Sequence, residues 1–123
     1  MARILIVDDN DDIRSMLELI LRREGFDVAS ARDGEQALAL YAERGADIVI
    51  TDLFMPERDG IETIVALRER YPDTKIIAMS GWQSQRGPDY LAVAREIGAA
   101  GTLRKPFEPR ELLRLVRRIG AEG

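Results

Sequence analysis

The sequence predicts an α/β fold, a parallel sheet wound with helices on both faces and contained in one domain. Three observations carry this expectation. The apolar runs Ile4–Val7, Ile48–Ile50 and Ile76–Met79 do not alternate with polar residues, the pattern of strands covered on both sides. Segments of helical periodicity separate them, so strand and helix alternate. The length, 123 residues, suits one domain with a proper core, here spanning 1–123.

Taken in order, Ile4–Val7 is the first strand. Ile13, Met16, Leu17, Ile20 and Leu21 then share one face of a first helix, which Gly25 stops. Phe26–Ala31 is a weaker strand. Asp33 and Gln36 have the spacing of an N-cap and its capping-box partner, opening a helix through Ala37, Leu38 and Tyr41. Ile48–Ile50 follows as the third strand. Ile61, Ile64, Val65 and Leu67 mark a third helix that ends before Pro72. Ile76–Met79 is the fourth strand and Tyr90–Ile97 the fourth helix. Thr102–Leu103 is a short fifth strand. Pro109 opens a fifth helix, with Leu112, Leu113, Val116 and Ile119 as its apolar face. Arg117 and Arg118 are expected in the last turn of that helix, where the macrodipole favours cations.

Composition narrows the chemistry. Apolar residues make up 46% and charged residues 33%, as in soluble globular domains. The net charge of −4 argues against direct nucleic-acid binding. Without cysteine there is no disulfide scaffold or thiolate. Without histidine there is no Ser-His-Asp triad and no His-ligated metal. The apolar stretch before the first acids is too short for a signal peptide or membrane span, so a cytoplasmic protein without membrane contact is expected.

Ligands of open parallel sheets bind beyond the carboxyl ends of the strands. The residues expected there are Asp8 and Asp9 after the first strand and Asp52 after the third. Ser80 follows the fourth and Lys105 the fifth. Three carboxylates in one crevice need a cation, and hard oxygen donors suit Mg²⁺, with Mn²⁺ as the substitute. An EF-hand begins to match at Asp8, Asn10 and Asp12. It fails where its glycine would be Ile13 and its closing glutamate Leu19. A haloacid-dehalogenase-type phosphatase would need a second aspartate two places after its nucleophile, where Phe54 and Asn10 stand. With Mg²⁺ at hand, a carboxylate can act as nucleophile toward phosphorus, while Lys105 offsets charge on the phosphoryl oxygens. Asn10, Asp11 and Asp12 are better read as the entry to the first helix, where acids suit the dipole.

The stretches "ILIVDDN", "DIVITDLFMPERDG", "IIAMSG" and "GAAGTLRKPF" closely resemble the receiver domain of two-component response regulators, over essentially the whole chain. The resemblance implies a flavodoxin-like (βα)5 sheet of order 2-1-3-4-5. It implies that Asp52 accepts a phosphoryl group from phosphohistidine on a sensor kinase or phosphotransfer protein, which switches the surface offered to a downstream effector. Asp9 and Asp52 would ligate Mg²⁺ directly, Phe54 through its backbone carbonyl, and Asp8 through water. Lys105 would pair with the phosphate and Ser80 would bond it. Such a domain catalyses its own phosphorylation and dephosphorylation without being a classified enzyme. Lys105–Pro106 is expected to be cis, and Pro56 and Gly60 match the family's turn after the phosphosite.

Three positions are distinctive. Thr102 stands where the family usually carries a switch aromatic, which lends some support to a competing class, a pure interaction module that signals without phosphate. The segment from Ser80 to Lys105 is long and places Trp82, the only tryptophan, beside the catalytic edge. There it is either a partly packed loop aromatic or a residue that covers the site or contacts a partner. Phe54, two residues after Asp52, cannot orient an attacking water, so slow loss of phosphate is expected.

Overall fold

A computed structural model describes residues 2–53, 60–81 and 90–122. Five strands alternate with five helices: β1 (Arg3–Val7), α1 (Asp11–Arg23), β2 (Asp27–Ala31), α2 (Gly34–Arg44), β3 (Ile48–Asp52), α3 (Gly60–Arg70), β4 (Lys75–Ser80), α4 (Tyr90–Glu96), β5 (Gly101–Arg104) and α5 (Pro109–Glu122). The strands form one parallel sheet of order β2-β1-β3-β4-β5, the flavodoxin-like arrangement expected. The chain reverses its direction of winding between β1 and β3, which opens a crevice at their carboxyl ends.

Alternate residues of each strand serve opposite layers. Ile4, Ile6, Ile48, Ile50, Ile77 and Met79 pack against Leu17 and Leu21 of α1 and Leu112, Val116 and Ile119 of α5. Leu5, Val7, Val49, Ile76 and Ala78 pack against Ala37 and Leu38 of α2, Ile64 and Leu67 of α3, and Leu91 and Ala94 of α4. Burial on both sides explains the unbroken apolar strand runs.

Helix ends follow their local chemistry. The Asn10 side chain accepts from the Ile13 N–H at 3.0 Å and caps α1, with Asp11 and Asp12 in the first turn. At the other end, Gly25 takes φ of 89°. There the Phe26 N–H donates to Leu21 O at 3.2 Å and the Gly25 N–H to Arg22 O at 3.0 Å. This paired closure needs a left-handed residue. It assigns Phe26 to the helix stop, so β2 starts one residue later than expected. Asp33 caps α2 through the Gln36 N–H at 2.8 Å. The returning bond to the Gln36 side chain comes from the Arg32 N–H, one residue upstream of the cap.

Three helix-face expectations change. Met16 is 43% exposed and Val65 38%, because each lies off the face its helix buries, which is set by Leu17 and Leu21 in α1 and by Thr63, Ile64 and Leu67 in α3. Arg117 and Arg118 are not in the last turn of α5, which continues to Glu122. Arg117 instead forms an ion pair with Glu24, just past α1. Among the described residues, no helix is long and apolar enough to cross a membrane.

Candidate functional site

The acids and the lysine meet because four strands end at one edge. Asp8 follows β1, Asp52 and Ser80 are the final residues of β3 and β4, and Lys105 follows β5. Asp52 and Ser80 therefore sit within the ladder, not after it, which gives them rigid backbones. In the register Asp52 lies opposite Met79, and Ser80 opposite Arg104. The Lys105 N–H donates to Ser80 O at 2.7 Å, so the peptide that carries the lysine is tied to β4. Lys105–Pro106 is cis.

Carboxylate oxygens of Asp8, Asp9 and Asp52 lie within 4.8 Å of one another. Asp8 is fully buried and Asp52 nearly so, whereas Asp9 is exposed. Lys105 Nζ stands 2.8 Å from Asp8 Oδ2 and 3.5 Å from Asp52 Oδ2. The second oxygen of Asp8, Oδ1, accepts from the Asn10 N–H at 2.9 Å. Both oxygens of Asp8 thus have donors from the protein itself. Three carboxylates against one ammonium leave a formal charge of −2 in a partly dry crevice, where Coulomb repulsion is weakly screened. A divalent cation with oxygen ligands fits that deficit and that donor set. Asp9, facing solvent, leaves a way in.

Ser80 is buried at the same edge, beside the buried Gly81. Phe54 and its carbonyl, Pro56 and Trp82 lie outside the described residues. Gly60 opens α3 and donates its N–H to Leu53 O at 3.1 Å.

Two arginines enter this region that the motif-based reading passed over. Arg14 Nη1 donates to the Asp8 carbonyl at 2.8 Å, and its other terminal nitrogen pairs with Asp11. It braces the turn between β1 and α1. The signal was its place one turn into the helix after the acids. Arg95 Nη2 donates to Thr102 Oγ1 at 3.1 Å, linking α4 to β5. The position without the expected aromatic thus has a polar tie of its own, which no spacing in the sequence announces.

Comparison with known proteins agrees with this geometry. Residues 4–117 match the family described as response regulator receiver domain. The transcriptional regulatory protein CpxR of Escherichia coli (strain K12) is 40% identical over 120 residues, which are 97% of this chain and 49% of CpxR. The chain therefore spans about half the length of the curated relatives it matches. Among solved structures, the chemotaxis protein CheY4 of Vibrio cholerae superposes with a TM-score of 0.87 at 35% identity, covering 97% of this chain and 98% of that one. A response regulator receiver domain protein from Clostridium thermocellum gives 0.91 at 26% identity, covering 99% and 96%. Agreement of that extent in both sequence and structure makes the chain a member of the response regulator receiver domain family, the phosphoryl-accepting signalling domain of two-component systems.

Proposed function

We propose that residues 1–123 act as a single receiver domain in which Asp52 is the phosphoryl acceptor. The observation that carries this reading is the Lys105 ammonium, held between Asp8 and Asp52 at 2.8 and 3.5 Å while Asp9 completes the acid set. An Asp52 carboxylate oxygen attacks the phosphorus of a phosphohistidine, a P–O bond forms, and the P–N bond breaks. The departing ring nitrogen takes the electron pair, and a proton taken up from solvent on the ring's other nitrogen makes the leaving imidazole neutral. The product is an acyl phosphate on Asp52. Nothing in this exchange requires a protein acid or base, which suits a chain without histidine.

Asp9 and Asp52 would hold Mg²⁺, or Mn²⁺, directly, with the Phe54 carbonyl as a further ligand. Asp8 would hold it through water, since both Asp8 oxygens already have protein donors. When bound, the ion supplies positive charge to the phosphoryl oxygens. Lys105 exchanges its contact with Asp52 for the new phosphate, and the Ser80 hydroxyl donates to it. The domain thereby catalyses its own phosphorylation and, with water as the nucleophile, its own dephosphorylation.

A sensor histidine kinase or a histidine phosphotransfer protein is the donor in this reading. Exposed Met16 and Leu19, 43% and 55% accessible on the helix that leaves the acid site, offer it an apolar contact. The consumer of the signal is an effector protein or domain, in keeping with relatives twice as long, and the setting is the cytoplasm. Intact-mass measurement after treatment with acetyl phosphate and Mg²⁺ tests the acceptor. Wild type is expected to gain one phosphoryl group and Asp52→Asn none. Equal gains would refute the assignment.

A further inference from the structure

Two close-packed glycines among the described residues have neighbours that can move aside. A Cβ on Gly98 would meet the Arg68 side chain, and one on Gly101 the methyl groups of Leu115 and Ile119. Gly60 differs. A Cβ there would lie 2.1 Å from Asp52 O, 2.6 Å from Leu53 Cα and 2.9 Å from Asp52 C, all backbone atoms. That backbone cannot retreat into the sheet. The Leu53 N–H is bonded to Met79 O at 2.9 Å, and the Leu53 side chain is buried. From the opposite side, the Gly60 N–H closes on Leu53 O at 3.1 Å. The first residue of α3 therefore rests directly on the peptide that follows Asp52.

We propose that Gly60 is a positioning residue for Asp52: its bare α-carbon lets α3 seat against the Asp52–Leu53 peptide and so sets where the carboxylate meets Asp8, Asp9 and Lys105. This inference rests on the reading of Asp52 as acceptor and metal ligand. A side chain at 60 must open a 2.1 Å contact to at least 3.0 Å, which moves either the helix or the acceptor peptide. A misplacement of roughly 1 Å costs on the order of 100-fold where catalysis is mostly positioning.

The test is a double-mutant cycle on Mg²⁺ affinity, measured by calorimetry for wild type, Gly60→Ala, Asp52→Asn and the double variant. Gly120→Ala, whose methyl would meet nothing within 4 Å, controls for the added helix propensity. Gly60→Ala is expected to weaken Mg²⁺ binding about tenfold, the usual scale for losing support of a ligand, and to leave the affinity of the Asp52→Asn chain unchanged. Phosphorylation by acetyl phosphate should slow by about 100-fold in the single variant. Equal weakening in both backgrounds, or none in either, would overturn the inference. So would a Gly60→Ala chain that circular dichroism shows unfolded even in the cold, because the glycine would then serve the fold at large. Asp52→Asn binding Mg²⁺ as tightly as wild type would instead refute the reading of Asp52 as a metal ligand, and this inference with it.

Discussion

Lys105 is the residue through which the candidate site balances its charge. Its ammonium touches a fully buried carboxylate and a nearly buried one. Removing one partner of such a pair leaves an uncompensated buried charge. The lysine side chain is itself 18% accessible, so the penalty falls below that of a fully buried pair. Lys105→Ala is expected to lose about 2 kcal/mol of stability in chelator, read by urea unfolding, and to recover most of it when Mg²⁺ is added. Phosphorylation of the same variant should slow by about 100- to 1,000-fold, since the donor proposed to face the developing phosphoryl charge is gone. Single residues were also where the sequence was hardest to read. Asp8, Asp9, Asp52, Ser80 and Lys105 could be nominated because strand ends are legible and the motif supplies their identities. Arg14 and Arg95 could not, because a surface arginine has no periodicity to betray what its flexible arm will reach.

Elements were legible to the extent that their ends have local chemistry. Asn10, Gly25 and Asp33 sit at helix ends because each satisfies backbone groups within a few residues. Nothing comparable marks the end of α5. Gly120 and Ala121 permit helix without demanding it, so the two arginines before them looked terminal and were not. The same reasoning makes the α2 cap a clean test. Asp33→Ala removes the acceptor for the Gln36 N–H at 2.8 Å, at a residue outside the acid cluster. A loss of about 1 kcal/mol is expected. That corresponds to a drop of roughly 4 °C in thermal midpoint for a domain of this size, with phosphorylation kinetics unchanged. Helix faces were legible only in part, since Ile13 and Ile20 at the middle of the expected α1 stripe are half-buried. Leu17 and Leu21 are buried as expected, whereas Met16, one residue around the cylinder, is 43% exposed.

At the scale of the whole molecule, the alternation of strand and helix sufficed for the class of fold. The order of strands came from resemblance, because no local signal states which strand is central. Topology is nevertheless what makes the acid set. Residues 8, 52 and 105 converge only because β1 and β3 are neighbours and β4 and β5 continue the same side. An ion that binds this convergence binds the folded chain alone, and so stabilises it by mass action. At 100 times its dissociation constant, Mg²⁺ should add about 2.7 kcal/mol, raising the thermal midpoint by roughly 10 °C. Asp52→Asn, which removes one carboxylate charge from the proposed ion site, should show a much smaller rise at the same concentration. Differential scanning calorimetry with and without Mg²⁺ compares the two directly.

The lysine reaches its place from β5, which at four residues is the shortest strand and forms one border of the sheet. It hangs there by the bond from its own N–H to Ser80 O. Border strands are the first to part from a sheet when it breathes. When β5 peels from β4, the acids stay on their central strands while their counter-charge departs, and the crevice passes from −2 to −3. Were the rim to fray in this way, the centre's attraction for cations would rise without any acid having to move.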